Sequence, residues 1–265
     1  MNRWTQHITG GAPRIGMWLA SGSGYVTEIC AGSGIDWVLL DMEHAPNDIR
    51  TTLEQLQVLA GYPEVDVVVR PPAADPVVIK QLLDIGAQNI MVPMIDGPED
   101  ASAAVAATRY PPRGIRGVGS ALARASRWNR ISDYLATADE TVSLTVQVET
   151  AEALRHLDDI ADVDGVDAVF IGPADLAASM GKLGQPEHPD VVAAIDGALA
   201  TIVEHGKSAG VNAFNPRLVG QYVAAGARFV LVGADVALLA RGVEQLVDKY
   251  RAERMRGDQS EGQGR

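Results

Sequence analysis

The sequence has little cysteine, little positive charge and no long apolar run. Cys30 is its single cysteine, so no disulfide can form within the chain, which is typical of a reducing compartment. Twenty-two basic against 34 acidic residues give a net charge of −12, which argues against a nucleic-acid partner because phosphate binding needs clustered cations. With no run of about 18 apolar residues and no signal-peptide core, we expect a soluble, cytoplasmic protein without membrane contact.

Strand-like and helix-like segments alternate along the chain. Eight short apolar runs predict strands, and most are separated by stretches with helical i, i+3, i+4 apolar spacing. The runs are Ile15–Leu19, Asp36–Asp41, Asp66–Arg70, Asn89–Pro93, Val142–Val148, Ala168–Ile171, Gly210–Phe214 and Phe229–Gly233. Such alternation predicts parallel pairing, and eight units close naturally into a (β/α)8 TIM barrel. We expect one barrel domain over residues 1–250 and a disordered tail over residues 251–265, where apolar periodicity is lost.

An open, doubly wound sheet is the structural alternative. It usually carries a glycine-rich phosphate turn after its first strand. Here the first predicted strand is followed by Ser-Gly-Ser-Gly at residues 21–24, which lacks the full glycine pattern. The barrel is therefore favoured.

Polar side chains follow several of the predicted strands at the points where these end. They are Asp41, Glu43 and His44 after the second strand, Arg70 at the end of the third, Gln147 and Glu149 at the end of the fifth, and Asp175 after the sixth. In an α/β barrel the catalytic groups project from the C-terminal ends of the strands. The sequence therefore predicts an active site on this rim.

Each of these residues also has a purely structural interpretation. Asp175 could simply cap the helix that follows it, His44 could be a hydrogen-bonded structural histidine, and Arg70 could be an ion-pair partner on the rim. Glu149 and Asp175 on neighbouring strand ends nevertheless form a carboxylate pair that suits Mg²⁺ or Mn²⁺, with water and substrate oxygens completing the shell. The sequence has no cluster of Cys and His residues of the kind that binds structural zinc.

At these residues the sequence resembles the HpcH/HpaI aldolase family, the class II pyruvate aldolases of the phosphoenolpyruvate/pyruvate barrel superfamily. The similarity covers about residues 14 to 250. The matching segments are 36–46 (DWVLLDMEHAP), 69–71 (VRP), 79–86 (IKQLLDIG), 109–130, 146–150 (VQVET) and 170–176 (FIGPADL). The resemblance implies a metal-dependent aldolase that reversibly cleaves 4-hydroxy-2-keto acids, such as 4-hydroxy-2-oxoheptanedioate or 2-keto-3-deoxy sugar acids, to pyruvate and an aldehyde.

The resemblance also implies a role for each rim residue. Glu149 and Asp175 would bind a divalent metal (Mg²⁺, Mn²⁺ or Co²⁺), and Arg70 and Gln147 would contact the pyruvate unit. The backbone of Gly172, Pro173 and Ala174 would receive its carboxylate. His44 would be the general base, paired with Asp84 from a neighbouring subunit. Asp84 precedes Gly86 at a predicted helix C-terminus, where the dipole disfavours an anion, so we expect either a functional use or a nearby cation.

The family resemblance implies a hexamer of paired subunits, a trimer of dimers, whose subunits exchange their last barrel helix, here about Val236–Lys249. The segment from Arg109 to Arg130 is predicted to be a long irregular loop, which in a compact domain is often a lid or a subunit contact. Residues 212–215 are Asn-Ala-Phe-Asn, where the resemblance implies a more aliphatic stretch, and this departure leaves the aldehyde preference open.

Other chemistries remain alternatives. A Schiff-base aldolase would need a buried lysine, and none of Lys80, Lys182, Lys207 and Lys249 lies at a predicted strand end on the rim. A CoA-ester lyase of the malyl or citramalyl type would need cationic and stacking residues for the nucleotide, which we do not find. A decarboxylase of the oxaloacetate type would use the same enolate. A non-catalytic barrel would have no use for base, metal and arginine on one rim.

Overall fold

The fold is a closed barrel of eight parallel strands. The structure, a computed structural model, describes residues 2–262, and the side chains of residues 2–251. The strands are β1 (Arg14–Leu19), β2 (Trp37–Asp41), β3 (Asp66–Arg70), β4 (Asn89–Val92), β5 (Ser143–Val148), β6 (Ala168–Ile171), β7 (Ser208–Asn212) and β8 (Ala227–Ala234). Each pairs with the next, and β8 closes the barrel against β1. The predicted single-domain TIM barrel is confirmed.

Helices follow the strands and form the outer layer, except α1, which precedes β1 and packs at the N-terminal end of the barrel. Within residues 2–262 they are α1 (Arg3–Thr9), α2 (Gly24–Ala31), α3 (Ile49–Leu59), α4 (Pro76–Asp84), α5 (Pro98–Thr108), α6 (Tyr134–Thr141), α7 (Ala151–Arg155), α8 (Leu157–Asp162), α9 (Pro173–Ser179), α10 (Pro189–Glu204), α11 (Pro216–Ala224) and α12 (Asp235–Gly262). Proline opens α4, α5, α9, α10 and α11, where its missing N–H costs no helical hydrogen bond. Proline thus marks the first residue of five helices.

Aromatic side chains fill the N-terminal end of the barrel. Trp4 of α1 is buried against Trp37 and Phe229, with ring centroids 5.1 and 5.3 Å away. Gly16 and Gly210 face these rings so closely that a Cβ at either position would overlap Trp37 or Phe229. Since this end is packed with side chains, the opposite, C-terminal end is the one that can receive a ligand.

Two strands, β7 and β8, begin two residues earlier than the sequence predicted, whereas the bounds of the other six agree within one residue. β7 runs over Ser208–Asn212 rather than 210–214, because the Ser208 hydroxyl is fixed by the Ile8 carbonyl at 3.0 Å and Asn215 begins the next helix by capping Arg217. Phe214 consequently leaves the ladder and is exposed. β8 begins two residues earlier than predicted.

The last helix is anchored at its start and poorly covered along its length. Asp235 accepts hydrogen bonds from the backbone N–H groups of Ala20 (2.9 Å) and Ser21 (3.1 Å). Beyond this anchor, large apolar side chains of α12 are exposed, namely Val236, Leu238, Leu239, Val243, Leu246, Val247 and Tyr250. The helix continues to Gly262, into the segment predicted to be a tail, and residues 263–265 lie outside the described residues. No helix in the described part of the chain is long and apolar enough to cross a membrane.

Candidate active site

Arg70 is the centre of a buried polar network at the C-terminal end of the barrel. It pairs in register with Asp41 of the neighbouring strand, and its Nε donates to Asp41 Oδ1 at 2.9 Å. Its Nη1 lies 3.3 Å from Gln147 Oε1 and 2.7 Å from Glu43 Oε2. The Glu43 contact is an ion pair that lacks hydrogen-bond alignment. Because Arg70 is only 4% exposed, these partners hold its guanidinium in one orientation.

An aromatic side chain supports the same guanidinium from one face. The Arg70 guanidinium carbon lies 4.3 Å from the ring centroid of Trp18 on β1, within the range of a cation–π interaction. The Trp18 indole N–H donates to Asn212 Oδ1 at 2.9 Å, which fixes the ring. The Arg70 Nη2 atom makes none of these contacts.

Glu149 is a buried carboxylate held by two donors. It follows β5 and is 2% exposed. Oε1 accepts the backbone N–H of Met94 at 2.9 Å, and Oε2 accepts from the Gln147 side-chain amide. Met94 adopts a left-handed φ of 57°, which is uncommon for a residue with a side chain and directs its N–H to the carboxylate.

The carboxylates of this rim repel one another. Burial raises the pKa of Glu149 to about 7, the Met94 N–H opposes this rise, and the charges of Glu43 and Asp175 add to it. Burial also raises the pKa of Glu43, although Arg70 and His44 oppose the shift. Because charges influence one another only at short range in a protein, these contributions indicate that Glu43 and Asp175 lie on the same side of the barrel as Glu149. A cation bound near Glu149 would relieve this repulsion.

The turn after β6 lies directly against this carboxylate. A Cβ added to Gly172 would stand 2.6 Å from Glu149 Oε2 and 2.9 Å from Gln147 Nε2, so any larger residue would displace one of these side chains. The Gly172 N–H already donates to the Val148 carbonyl at 3.2 Å, and Pro173 has no N–H. Of the three residues predicted to receive a carboxylate, only Ala174 thus has an amide donor left over, because first-turn N–H groups have no acceptor within the helix.

His44 and Asp175 lie at the solvent side of the network. Asp175 is exposed in the first turn of α9. The His44 side chain is 66% exposed, with its Nε2 3.8 Å from Glu43 Oε2. His44 can therefore meet a substrate without any rearrangement of the barrel.

Asp84 is not brought to this site within one chain. It is the last residue of α4, which leads from the C-terminal end of β3 back to the N-terminal end of β4, so Asp84 lies at the opposite end of the barrel from the rim. There Arg116 Nη2 donates to Asp84 Oδ1 at 2.9 Å. Arg116 is thus the nearby cation that the sequence analysis gave as one explanation for an anion at this helix end.

Comparison with known proteins identifies the chain's family. Residues 14–242 match the model of the HpcH/HpaI aldolase/citrate lyase family. The chain belongs to this family. The 4-hydroxy-2-oxo-heptane-1,7-dioate aldolases of Salmonella dublin and Salmonella typhi are each 53% identical to it over 253 residues, which cover 96% of this chain and 96% of the relative. It is therefore an enzyme of the aldolase type, as the sequence predicted.

Solved structures agree with this assignment. An HpcH/HpaI aldolase/citrate lyase family protein of Burkholderia cenocepacia superposes with a TM-score of 0.90 at 41% identity, covering 95% of this chain and 100% of the other. An HpcH/HpaI aldolase of Desulfitobacterium hafniense gives 0.85 at 28% identity, with 95% and 97% covered. The predicted family and barrel are thus confirmed together.

The donor set fits a hard divalent cation that keeps part of its shell for water and substrate. Among the described residues no group of three or more His, Cys, Asp or Glu side chains is arranged so that it could hold a metal ion by itself. Glu149 and Asp175 offer oxygen donors only, and Mg²⁺-type ions are commonly bound by one or two carboxylates. Burial and, after it, the charges of acidic neighbours raise the pKa of Glu149, and a bound cation would favour the charged form of this carboxylate.

Sequence reasoning missed three contributors to the site. Glu43 was noted at the strand end but given no role, although its ion pair with Arg70 is one of the shortest contacts on the rim. Trp18 lies within an apolar predicted strand, so nothing in the sequence marks it as a functional residue. Met94 contributes through its backbone, and a left-handed φ at a non-glycine residue leaves no mark in the sequence.

Proposed function

We propose that this enzyme is a divalent-metal-dependent aldolase that cleaves 4-hydroxy-2-keto acids to pyruvate and an aldehyde. The observation that carries the proposal is the buried carboxylate Glu149, which is held beside Glu43 and Asp175 with Arg70 as the nearby cation. Such a rim needs a further positive charge and can hold an anionic keto acid once that charge is bound. The names of the relatives make 4-hydroxy-2-oxoheptanedioate the first substrate to test.

Glu149 and Asp175 would hold Mg²⁺, Mn²⁺ or Co²⁺. The metal would supply Lewis-acid polarisation of the substrate's keto group and charge for the developing enolate. Arg70 Nη2 would donate to the same oxygen, and Gln147 would help hold Arg70 and Glu149 in place. The Ala174 N–H would receive the carboxylate, which narrows the predicted contact from the three residues 172–174 to one amide.

His44 would act as the general base. Its exposed imidazole would accept the proton of the C4 hydroxyl, directly or through one water, as general bases do over hydrogen-bond distances. The C3–C4 bond then breaks, the electron pair of the O–H bond becomes part of the aldehyde carbonyl, and the C3–C4 pair remains on pyruvate as its enolate. Protonation of C3 completes the pyruvate product.

A neighbouring subunit would supply the carboxylate that pairs with the general base His44. Asp84 cannot reach His44 within the chain, because the two lie at opposite ends of the barrel. We propose that Asp84 of one subunit serves His44 of another in a hexamer built as a trimer of dimers. The exposed apolar side chains of α12 support exchange of this helix between the paired subunits, since an unpartnered stripe of this kind normally marks an interface.

The direct test is pyruvate release from 4-hydroxy-2-oxoheptanedioate and from a 2-keto-3-deoxy sugar acid, before and after chelation. We expect activity to disappear with chelator and to return with Mg²⁺, Mn²⁺ or Co²⁺. Glu149→Gln should be inactive at every metal concentration. Treatment with pyruvate and borohydride should leave the mass of the protein unchanged, because the mechanism forms no imine. A pyruvate–lysine adduct, or full activity without metal, contradicts the proposal.

A further inference from the structure

Arg116 is a fully buried arginine that holds Asp84. It lies in the long irregular segment between α5 and α6, and its side chain is 0% exposed. Nη2 donates to Asp84 Oδ1 at 2.9 Å and to the Tyr134 hydroxyl at 3.1 Å. The guanidinium carbon lies 4.5 Å from the ring centroid of Tyr110. Two elements far apart in sequence thus meet at a single carboxylate oxygen.

This arrangement is costly for stability alone. Two further nitrogens of Arg116, Nε and Nη1, are buried without a hydrogen-bond partner, and an unsatisfied buried donor costs about 1–3 kcal/mol. A buried ion pair is often no more stabilising than an apolar pair of the same volume. Stability therefore gives little reason to keep a buried arginine here, whereas control of the Asp84 carboxylate does.

Asp84 is held at one oxygen and available at the other. Oδ1 is taken by Arg116, while Oδ2 has no hydrogen-bond partner among the residues whose side chains the structure describes. The side chain remains 26% exposed. The same loop exposes Ile115, Val118, Leu122 and Trp128 nearby in sequence. An anchored carboxylate with one open oxygen, carried beside an apolar loop surface, is suited to act on another subunit.

We propose that Arg116 is a positioning residue that fixes Asp84 Oδ1 so that Oδ2 can pair with His44 of a neighbouring subunit. The inference rests on the shared active site proposed above. By fixing Asp84, Arg116 would set the tautomer and orientation of the neighbour's imidazole and stabilise it when it gains the hydroxyl proton, the role of the aspartate behind a catalytic histidine. Arg116 itself touches neither substrate nor metal.

The test is subunit complementation with Arg116→Met. Alone, this variant should lose about 10²-fold in kcat, the scale expected when a catalytic group is misplaced by about 1 Å. Co-assembled with His44→Ala, it should regain activity, because sites on Arg116→Met subunits keep His44 and receive an intact Asp84–Arg116 pair. In a randomly mixed assembly roughly one quarter of the sites meet this condition. Co-assembled with Asp84→Ala, it should regain nothing, because every subunit then supplies a defective carboxylate.

Two further variants control for loss of activity through misfolding. Arg113→Met removes an arginine from the same loop that is exposed and pairs with Asp139 at 2.7 Å, and it should keep wild-type kcat. Arg116→Lys retains one donor for Asp84 Oδ1 and should recover part of the kcat lost in Arg116→Met. Co-assembly is verified by purification through two different affinity tags, one on each variant.

The outcomes separate this inference from the proposed function. If His44→Ala and Asp84→Ala complement each other but Arg116→Met complements neither, or complements Asp84→Ala, then Arg116 does not act through the donated carboxylate and the inference is wrong. Wild-type kcat in Arg116→Met also overturns it. If His44→Ala and Asp84→Ala fail to complement in verified mixed assemblies, the shared site itself is wrong and the inference falls with it.

Discussion

Gly172 and Glu149 are packed so closely that a Cβ on Gly172 would stand 2.6 Å from the carboxylate oxygen Oε2. The φ of Gly172 is −95°, so this position needs glycine for space and not for backbone freedom. The contact joins the turn after β6 to the proposed metal ligand on β5. A substitution here perturbs the carboxylate directly.

We expect Gly172→Ala to weaken Mn²⁺ binding roughly 10–100-fold, the usual effect of disturbing the groups behind a metal ligand. The kcat/KM should fall with it while the protein stays folded. Calorimetric titration with Mn²⁺ and steady-state kinetics measure both. Gly197→Ala is the matched control, because a Cβ at that helical position meets nothing within 4 Å. Unchanged Mn²⁺ affinity in Gly172→Ala would mean that Glu149 does not bind the metal as proposed.

Arg70→Lys should lose most activity although the charge is kept. Arg70 contacts Asp41, Glu43 and Gln147 at the same time, whereas lysine is a single charge on a flexible stem. We expect kcat to fall by about 10² or more, the effect of losing an oxyanion donor. Arg228→Lys, at an exposed arginine, should be neutral. A near wild-type kcat with only a raised KM would reduce Arg70 to a substrate-binding role.

The barrel and most of its rim could be predicted from the sequence because both rest on local patterns. Strand alternation located all eight strands, and the two-residue spacing of Gln147 and Glu149 placed both side chains on the same side of β5. Because the C-terminal ends of all barrel strands lie on one face, Arg70 at the end of β3 is predicted to lie at the same end of the barrel. The structure confirms this grouping through the Arg70–Gln147 contact.

Other features depend on contacts that no local pattern encodes. Asp84 and Arg116 are separated by 32 residues and meet only because the loop after α5 folds back onto the end of α4. Glu43 could have been an ordinary exposed acid, and its pairing with Arg70 follows from the register of β2 and β3. The boundary of β7 was misplaced because the hydrogen bond from Ser208 to Ile8 depends on where α1 packs.

The exposed side chains of α12 predict the assembly state in solution. The wild-type protein should have a mass above that of one chain, and Leu238→Glu with Leu239→Glu should shift it toward the monomer. Burying one leucine contributes about 1.5–3 kcal/mol, so two charges at the interface should be decisive. Gln245→Glu adds a charge at an exposed polar position of the same helix and should leave the mass unchanged. Light scattering after size exclusion gives the masses, and a monomeric wild type would refute the exchange.

The role of His44 can be tested by comparing two reactions at one site. Decarboxylation of oxaloacetate would yield the same pyruvate enolate as aldol cleavage, but it needs no proton removed from a hydroxyl. General-base help is typically worth about 10²–10⁴-fold. His44→Ala should therefore reduce aldol cleavage by about that factor and spare decarboxylation within about tenfold.

Glu149→Ala is the matched variant for that comparison, because both reactions need the enolate to be stabilised and both should be lost with the proposed metal ligand. The measurement is kcat/KM for each reaction in each variant at saturating Mn²⁺. Because the His44 side chain is 66% exposed, its removal should leave the buried network around Arg70 intact, so a selective loss reports on chemistry. Equal losses in the two reactions for His44→Ala would assign the imidazole to the enolate rather than to the hydroxyl. The base would then be another group on the rim, and Glu43, whose pKa burial raises, would be the first to replace.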